Sequence, residues 1–242
     1  MIRVAAVGDV HYGKNSQDRL RFHLEQLKDA ADLLLVAGDL TQSGRLDEAK
    51  VLAHDLRFSA VPVVVVLGNH DYHHNEQEEI LQILGDAGVM ALEGRSVVLE
   101  INGQSVGVMG IKGFGGGFVG ACISEFGEPE MKAFAHQSKK QAQILRHGLE
   151  ALNVDYKFAL THYSPVESTL LGEKKEIYPF LGSYLLAEAI DASPVTAAFH
   201  GHAHWGVEKG ETPRGVPVRN VAQNVIRNAY KIYHFSQPER RV

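Results

Sequence analysis

Val61-Pro62-Val63-Val64-Val65-Val66-Leu67-Gly68-Asn69-His70-Asp71 is an apolar, mostly β-branched run that stops abruptly on a glycine, an amide, an imidazole and a carboxylate. The run reads as a strand buried on both faces. Polar residues directly after it read as a rim beyond the strand's carboxyl end, where open α/β sheets bind their ligands. The same pattern recurs four times. Val4 to Val7 leads into Gly8-Asp9-Val10-His11, and Leu33 to Ala37 into Gly38-Asp39. Tyr156 to Leu160 leads to His162, and Val195 to Phe199 to Gly201-His202-Ala203-His204. Five polar blocks at five strand ends predict one α/β domain over residues 1–242, with every block on one rim.

The residue types say what such a rim could hold. Carboxylates, imidazoles and one amide oxygen, without thiolate, suit Mn, Fe, Zn or Mg better than a soft metal. Asp9 and His11 are two apart, as are His202 and His204; on a regular strand such neighbours would be about 6.6 Å apart on one face. Both members of each pair therefore reach one site only where the strand gives way to a loop. Glycines 8, 38, 68 and 201 permit the turns and the close backbone approach this requires.

In order and spacing the five blocks resemble the motif series of the calcineurin-like metallophosphoesterases: Asp-x-His, Gly-Asp, Gly-Asn-His-Asp or Glu, a lone His, then Gly-His-x-His. The resemblance runs from Asp9 to His204. It implies a four-layer α-β-β-α sandwich, two mixed sheets flanked by helices, with a dinuclear metal site at the strand carboxyl ends. It implies two divalent or trivalent ions, Mn or Fe favoured over Zn or Mg, one held by Asp9, His11, Asp39 and His204 and the other by Asp39, Asn69, His162 and His202. Asp39 would bridge them. His70 then faces substrate, to protonate a leaving alkoxide or steady a phosphoryl oxygen, and Asp71 is expected to orient its ring. Two such ions neutralise phosphoryl oxygens and lower the pKa of a bridging water, so no covalent enzyme intermediate is needed.

One departure narrows the substrate. Protein phosphatases of this superfamily carry Gly-Asp-x-x-Asp, whereas Gly38-Asp39-Leu40-Thr41-Gln42 has glutamine in the last position and resembles bacterial members acting on small esters. No arginine adjoins a block: Arg3, Arg19, Arg45 and Arg95 all lie away from the motif ends, and enzymes that prefer a monoester dianion usually add a guanidinium clamp. A small phosphodiester is therefore the expected substrate, with a phosphomonoester as the alternative and a non-catalytic interaction scaffold as the reading from another class.

Between the blocks, Leu20, Leu24, Leu27 and Ala31 predict one helix, Ala49, Leu52, Ala53 and Leu56 a second, and Gln77 to Asp86 a third. Val97 to Ile101, Asn102-Gly103 and Gln104 to Met109 predict a hairpin. A stripe from Met131 through Ala135, Ser138, Ala142, Leu145 and Leu149 to Leu152 predicts a long core-facing helix, and Pro217 to Val221 and Tyr230 to Phe235 predict late strands. Gly115 to Gly120 formally fits Gly-x-Gly-x-x-Gly, but Ala121 to Glu125 offers no helix start, so no nucleotide cofactor is expected. That stretch is either a loop beside the metals, with Phe114 or Phe118 touching substrate, or a plain connector. His200 reads as a core histidine, and His73, His74, His136, His147 and His234 as solvated or packed. Lys174 and Lys175 read as a solvated loop.

A chain of 242 residues, 45% hydrophobic, suffices for one substantial core. Its formal charge of −5 offers no basic field, so long nucleic acid is not an expected partner. The single Cys122 cannot form an internal disulfide. Met1 is followed almost at once by the Asp9 block, and no apolar run approaches a membrane span, so a cytoplasmic, soluble protein is expected, with a small phosphoester as its partner.

Overall fold

A computed structural model describes residues 1–236. Strand β1 (Ile2–Val7) leads through helices α1 (Arg21–Glu25) and α2 (Leu27–Ala30) to β2 (Leu33–Ala37). Helix α3 (Leu46–Leu56) leads to β3 (Val63–Val66), and α4 (Gln77–Asp86) to the short β4 (Met90–Ala91). Strands β5 (Arg95–Ile101) and β6 (Gln104–Ile111) form the expected hairpin. Asn102 and Gly103 turn it at φ 54° and 71°, the left-handed pair a type I′ turn requires. Two-residue strands β7 (Gly117–Phe118) and β8 (Ala121–Cys122) precede the 23-residue helix α5 (Pro129–Ala151). Then come β9 (Tyr156–Thr161), α6 (Tyr178–Leu181), α7 (Tyr184–Asp191) and β10 (Ala197–His200). The described chain closes with β11 (Lys209–Glu211), β12 (Pro217–Asn220), α8 (Gln223–Ile226) and β13 (Lys231–Phe235).

One sheet has the order β13-β1-β2-β3-β4, parallel except for β13; the other has the order β11-β12-β10-β9-β6-β5, with β5 and β11 antiparallel to their neighbours. The central strands are apolar on both faces because both faces are covered. Val4, Leu34 and Val64 of the first sheet share one core with Val106, Phe158 and Phe199 of the second, while Met109, Ala159 and Ala198 turn the opposite way onto Leu145, Leu149, Leu186 and Ile190 of α5 and α7. Two mixed sheets flanked by helices make this an α/β sandwich in which the helices cover the outer faces.

Two expectations need correction. The helix expected through Leu20 to Ala31 is divided at Gln26; Leu24 and Leu27 stay buried, so their spacing reported which side faces the core and not an unbroken helix. The long stripe begins too early, since Met131 is exposed and core packing starts at Ala135. Around Gly115 to Gly120 there is a two-strand ribbon with no helix directly after it, so the dinucleotide geometry is missing.

Candidate metal centre

All five blocks emerge on the same edge of the sandwich, and backbone hydrogen bonds fasten them together. Asp9 N–H donates to Gly38 O (2.9 Å), His11 N–H to Asp39 O (3.0 Å) and Gly201 N–H to His162 O (3.1 Å). Gly8 N–H reaches Val221 O (2.8 Å), and Val221 N–H reaches His200 O (2.7 Å), which ties the first block to the second sheet. Asp9, His11, Asp39 and His202 all take positive φ, at 56°, 42°, 48° and 69°. Such backbone costs of order 1–3 kcal/mol per residue and concentrates where function demands a side-chain direction that a relaxed strand end cannot give. The glycines have a companion reason: a Cβ on Gly38 would strike the His162 ring, one on Gly68 the Asp39 backbone and carboxylate, and one on Gly201 the Asp9 carboxylate.

The side chains gather into two groups that share one member. Asp9, His11, Asp39 and His204 form the first and Asp39, His162 and His202 the second; within each, one ligand atom per residue lies within 4.8 Å of every other. His204 Nε2 is 2.8 Å from Asp9 Oδ1, and His11 Nε2 is 3.8 Å from Asp39 Oδ2. His162 Nε2 is 3.3 Å from Asp39 Oδ1 and 2.9 Å from Asn69 Oδ1.

The donor set fits metal ions on a tautomer argument. A carbonyl can only accept, so His162 Nδ1 donates to Ala37 O (2.9 Å) and its Nε2 keeps a lone pair, which faces the Asn69 and Asp39 oxygens. His202 Nε2 likewise donates to Phe180 O (3.1 Å), leaving Nδ1 as its lone pair. Lone pairs crowded together in a buried place need a cation between them, and imidazoles fixed by an outer carbonyl are the usual arrangement at metal sites. Burial also keeps these rings neutral: it lowers His11 to a pKa of about 4 and His202 to about 3, and holds His162 well below its ordinary value. Burial raises Asp9 to about 6, opposed by its hydrogen bond with His204, which in turn is raised by Asp9.

His70 stands at the mouth, its Nε2 3.9 Å from Asp39 Oδ2 and its ring 4.6 Å from that of His11. Asp71 does not orient that ring. His70 Nδ1 bonds to the Gln42 carbonyl (2.7 Å), whereas the buried Asp71 carboxylate accepts from Leu40 N (3.1 Å), Thr41 N (2.8 Å), Thr41 Oγ1 (2.6 Å) and Gly68 N (2.7 Å). Asp71 thus staples the Asp39 block to the Asn69 block, and burial followed by the nearby Asp39 raises its pKa to about 6.

The two phenylalanines divide. Phe118 is only 5% exposed and packs with Leu170, Tyr178, Leu181 and Ala203 beneath the last block, not on the open rim. Phe114 is half-buried, 4.8 Å from the Phe134 ring and 5.9 Å from Tyr163, whose own ring is 4.5 Å from His202. His200 is a satisfied core residue bonded to Gly201 O and Thr169 Oγ1, while His73, His74, His136, His147 and His234 are exposed, as are Lys174 and Lys175. Arg19, distant from the blocks in sequence, supports the first one, its guanidinium 4.4 Å from the Tyr12 ring centroid and hydrogen-bonded to Val10 O. Sequence reasoning missed Lys112 and Glu93. The available signal was the one used elsewhere: Lys112 is the polar residue directly after an apolar strand.

Comparison with known proteins bears on family and fold. The family model described as calcineurin-like phosphoesterase matches residues 2–206. A probable glycerophosphodiester phosphodiesterase, GpdQ of Arcobacter nitrofigilis, is 35% identical over 57 residues, a match covering 24% of this chain and 21% of that relative. Phosphopantetheinyl hydrolase of Mycobacterium tuberculosis has the same fold, with a TM-score of 0.67 at 17% identity over 93% of this chain and 90% of that one. So does GAP50, described as the anchor in the inner membrane complex of Plasmodium, with a TM-score of 0.56 at 14% identity over 92% of this chain and 72% of that one. The chain belongs to the calcineurin-like phosphoesterase family and spans about a fifth of the length of the curated relative it matches.

Proposed function

We propose that the protein hydrolyses small phosphodiesters with two metal ions, the first held by Asp9, His11, Asp39 and His204 and the second by Asp39, Asn69, His162 and His202. The observation that carries this reading is that both ligand groups converge with Asp39 in common. Two ions held there would supply Lewis acidity toward the phosphoryl oxygens and would make water nucleophilic at neutral pH. The chain's own residues do the remainder. Ala37 O and Phe180 O fix which imidazole nitrogens face inward, Asp71 holds two blocks in register, and Gln42 O fixes the His70 ring with Nε2 directed to the site. With its Nδ1–H given to that carbonyl, His70 in its imidazolium form carries a proton on Nε2, placed to pass to a leaving alkoxide.

The diester reading is supported by Gln42, which stands where protein phosphatases have aspartate, and by the short likeness to a glycerophosphodiester phosphodiesterase. One observation favours a phosphomonoester instead: the ammonium of Lys112 lies among the aromatic rings beside His162 and could meet the extra charge of a dianion. Steady-state kinetics of the metal-loaded protein on bis(p-nitrophenyl) phosphate and p-nitrophenyl phosphate decides between them. A higher kcat/KM for the diester is expected; a monoester preference of roughly tenfold or more overturns it.

A further inference from the structure

Lys112 is the first residue after β6. The pairing of Ile111 with Thr161 places it opposite His162, and its carbonyl accepts from the N–H groups of His162 (3.0 Å) and Tyr163 (3.1 Å). Its side chain is therefore positioned by the same strand pair that positions a metal ligand. The residue is 8% exposed, and its Nζ lies 4.7 Å from the Tyr72 ring centroid and 5.3 Å from those of Phe114 and Tyr163. These rings come from three parts of the rim: Tyr72 closes the turn after Asn69 and His70, Tyr163 follows His162, and Phe114 opens the glycine-rich loop.

Ring faces stabilise a cation without using its N–H donors. No acceptor within hydrogen-bond reach and no carboxylate within 4.0 Å takes this ammonium among the described residues. Glu93 acts on it at longer range, but the Glu93 oxygens already accept from Leu67 N (3.1 Å) and Tyr72 Oη (3.2 Å). Burial lowers the Lys112 pKa, and Glu93 and then Asp39, the carboxylate common to both ligand groups, oppose that fall. The ammonium is thus held by ring faces in a nearly buried place with no protein acceptor among the described residues, which leaves its donors available to an anionic oxygen beside the candidate metal site.

We propose that Lys112 binds an oxygen of the substrate's phosphoryl group on the His162 and His202 side of the site, and thereby sets how well the site accepts a dianion. The proposal rests on the hydrolase reading above. A monoester carries the second negative charge in its ground state, whereas a diester acquires it only as an anionic nucleophile adds. The ammonium should accordingly lower KM for a monoester and raise kcat for a diester.

Lys112→Met keeps the length and apolar stem of the side chain and removes the charge; Lys112→Arg restores the charge. Titration calorimetry of the metal-loaded proteins with inorganic phosphate, together with kinetics on the p-nitrophenyl monoester and diester, makes the test. Lys112→Met should weaken phosphate binding by about tenfold or more, the scale of one charge-assisted hydrogen bond. It should raise KM for the monoester, lower kcat for the diester and keep the metal content, and Lys112→Arg should recover most of each loss. Should the methionine variant fail to fold, Lys112→Gln carries the same comparison. Unchanged phosphate affinity and kinetics in a folded, metal-replete neutral variant overturn the proposal. So does a loss confined to substrates with a second anionic group away from phosphorus. Phosphate binding that depends on Lys112 in a wild-type protein without turnover would remove the hydrolase reading and leave the anion site standing.

Discussion

The two halves of the candidate metal site are prepared differently. Around Asp9, His11 and His204 the order comes from charge: a carboxylate and an imidazole lie 2.8 Å apart, a contact that raises the His204 pKa and opposes the rise of Asp9, and His11 and His204 are both partly open to solvent. Around His162 and His202 it comes from neutral hydrogen bonds to Ala37 O and Phe180 O, with His162 wholly enclosed. His204 is engaged with the Asp9 carboxylate, whereas His162 and His202 each give one N–H to a carbonyl and turn the other nitrogen inward. The two groups that share Asp39 are therefore not equivalent: His162 is enclosed, whereas His11, His202 and His204 are each partly open to solvent.

Asp39 belongs to both halves, so changing it should do the most damage. Asp39→Asn keeps the volume but removes the negative charge that both proposed ions would share. It should lower metal content toward zero and activity by more than the 10–100-fold usually seen when an outer hydrogen-bond partner is lost. His204→Ala, confined to the first half, should leave about one ion per chain by comparison. Elemental analysis beside turnover is the check, and two ions per chain with near-normal turnover in Asp39→Asn would refute the bridging role.

His70 belongs to neither half, although it lies close to Asp39. His70→Ala should keep the full metal complement and melt normally, with kcat lower by roughly 10²–10⁴, the range for losing a general acid. The loss should shrink as the leaving group improves, because p-nitrophenolate scarcely needs a proton. A deficit that stays constant across leaving groups of widely different pKa would assign the ring to electrostatic positioning.

How far this was legible in the sequence follows from what each residue needs. That Asp9, Asp39, Asn69, His162, His202 and His204 share one rim was legible because each follows a strand end, and a buried strand announces itself as an apolar run. The partners of those residues were not. Asp71 looks like a natural companion for the adjacent His70, yet the turn at His70 to Tyr72 sends its carboxylate back to Leu40, Thr41 and Gly68. Phe118 looks like a loop-tip aromatic, but the short β7–β8 ribbon folds it under the last block. Lys112 meets His162 only through the parallel pairing of β6 with β9, across a long helix that no local pattern spans. Local periodicity reports burial and direction; which donor finds which acceptor is decided by register.

The smallest expected effect lies behind the second half, at Glu93. This carboxyl sits between β4 and β5, and burial raises its pKa to about 7 from 4.5, with Lys112 and the Leu67 and Tyr72 hydrogen bonds opposing the rise. Between those values the native protein holds a proton that the unfolded chain has released, so this group's contribution favours folding at low pH and is lost as pH climbs from 4.5 towards 7. The size is at most roughly 3 kcal/mol, and less in practice because the side chain is partly exposed to solvent. Glu93→Gln keeps a neutral acceptor at every pH and should remove that loss. Urea melts of the metal-free proteins at about pH 5 and about pH 7 isolate the effect, since the two proteins differ only at position 93. The wild type should lose more stability than the variant over that interval. Equal losses would mean that Glu93 stays ionised throughout, its charge held by the Lys112 ammonium, and the second half would then depend on charge as much as the first does.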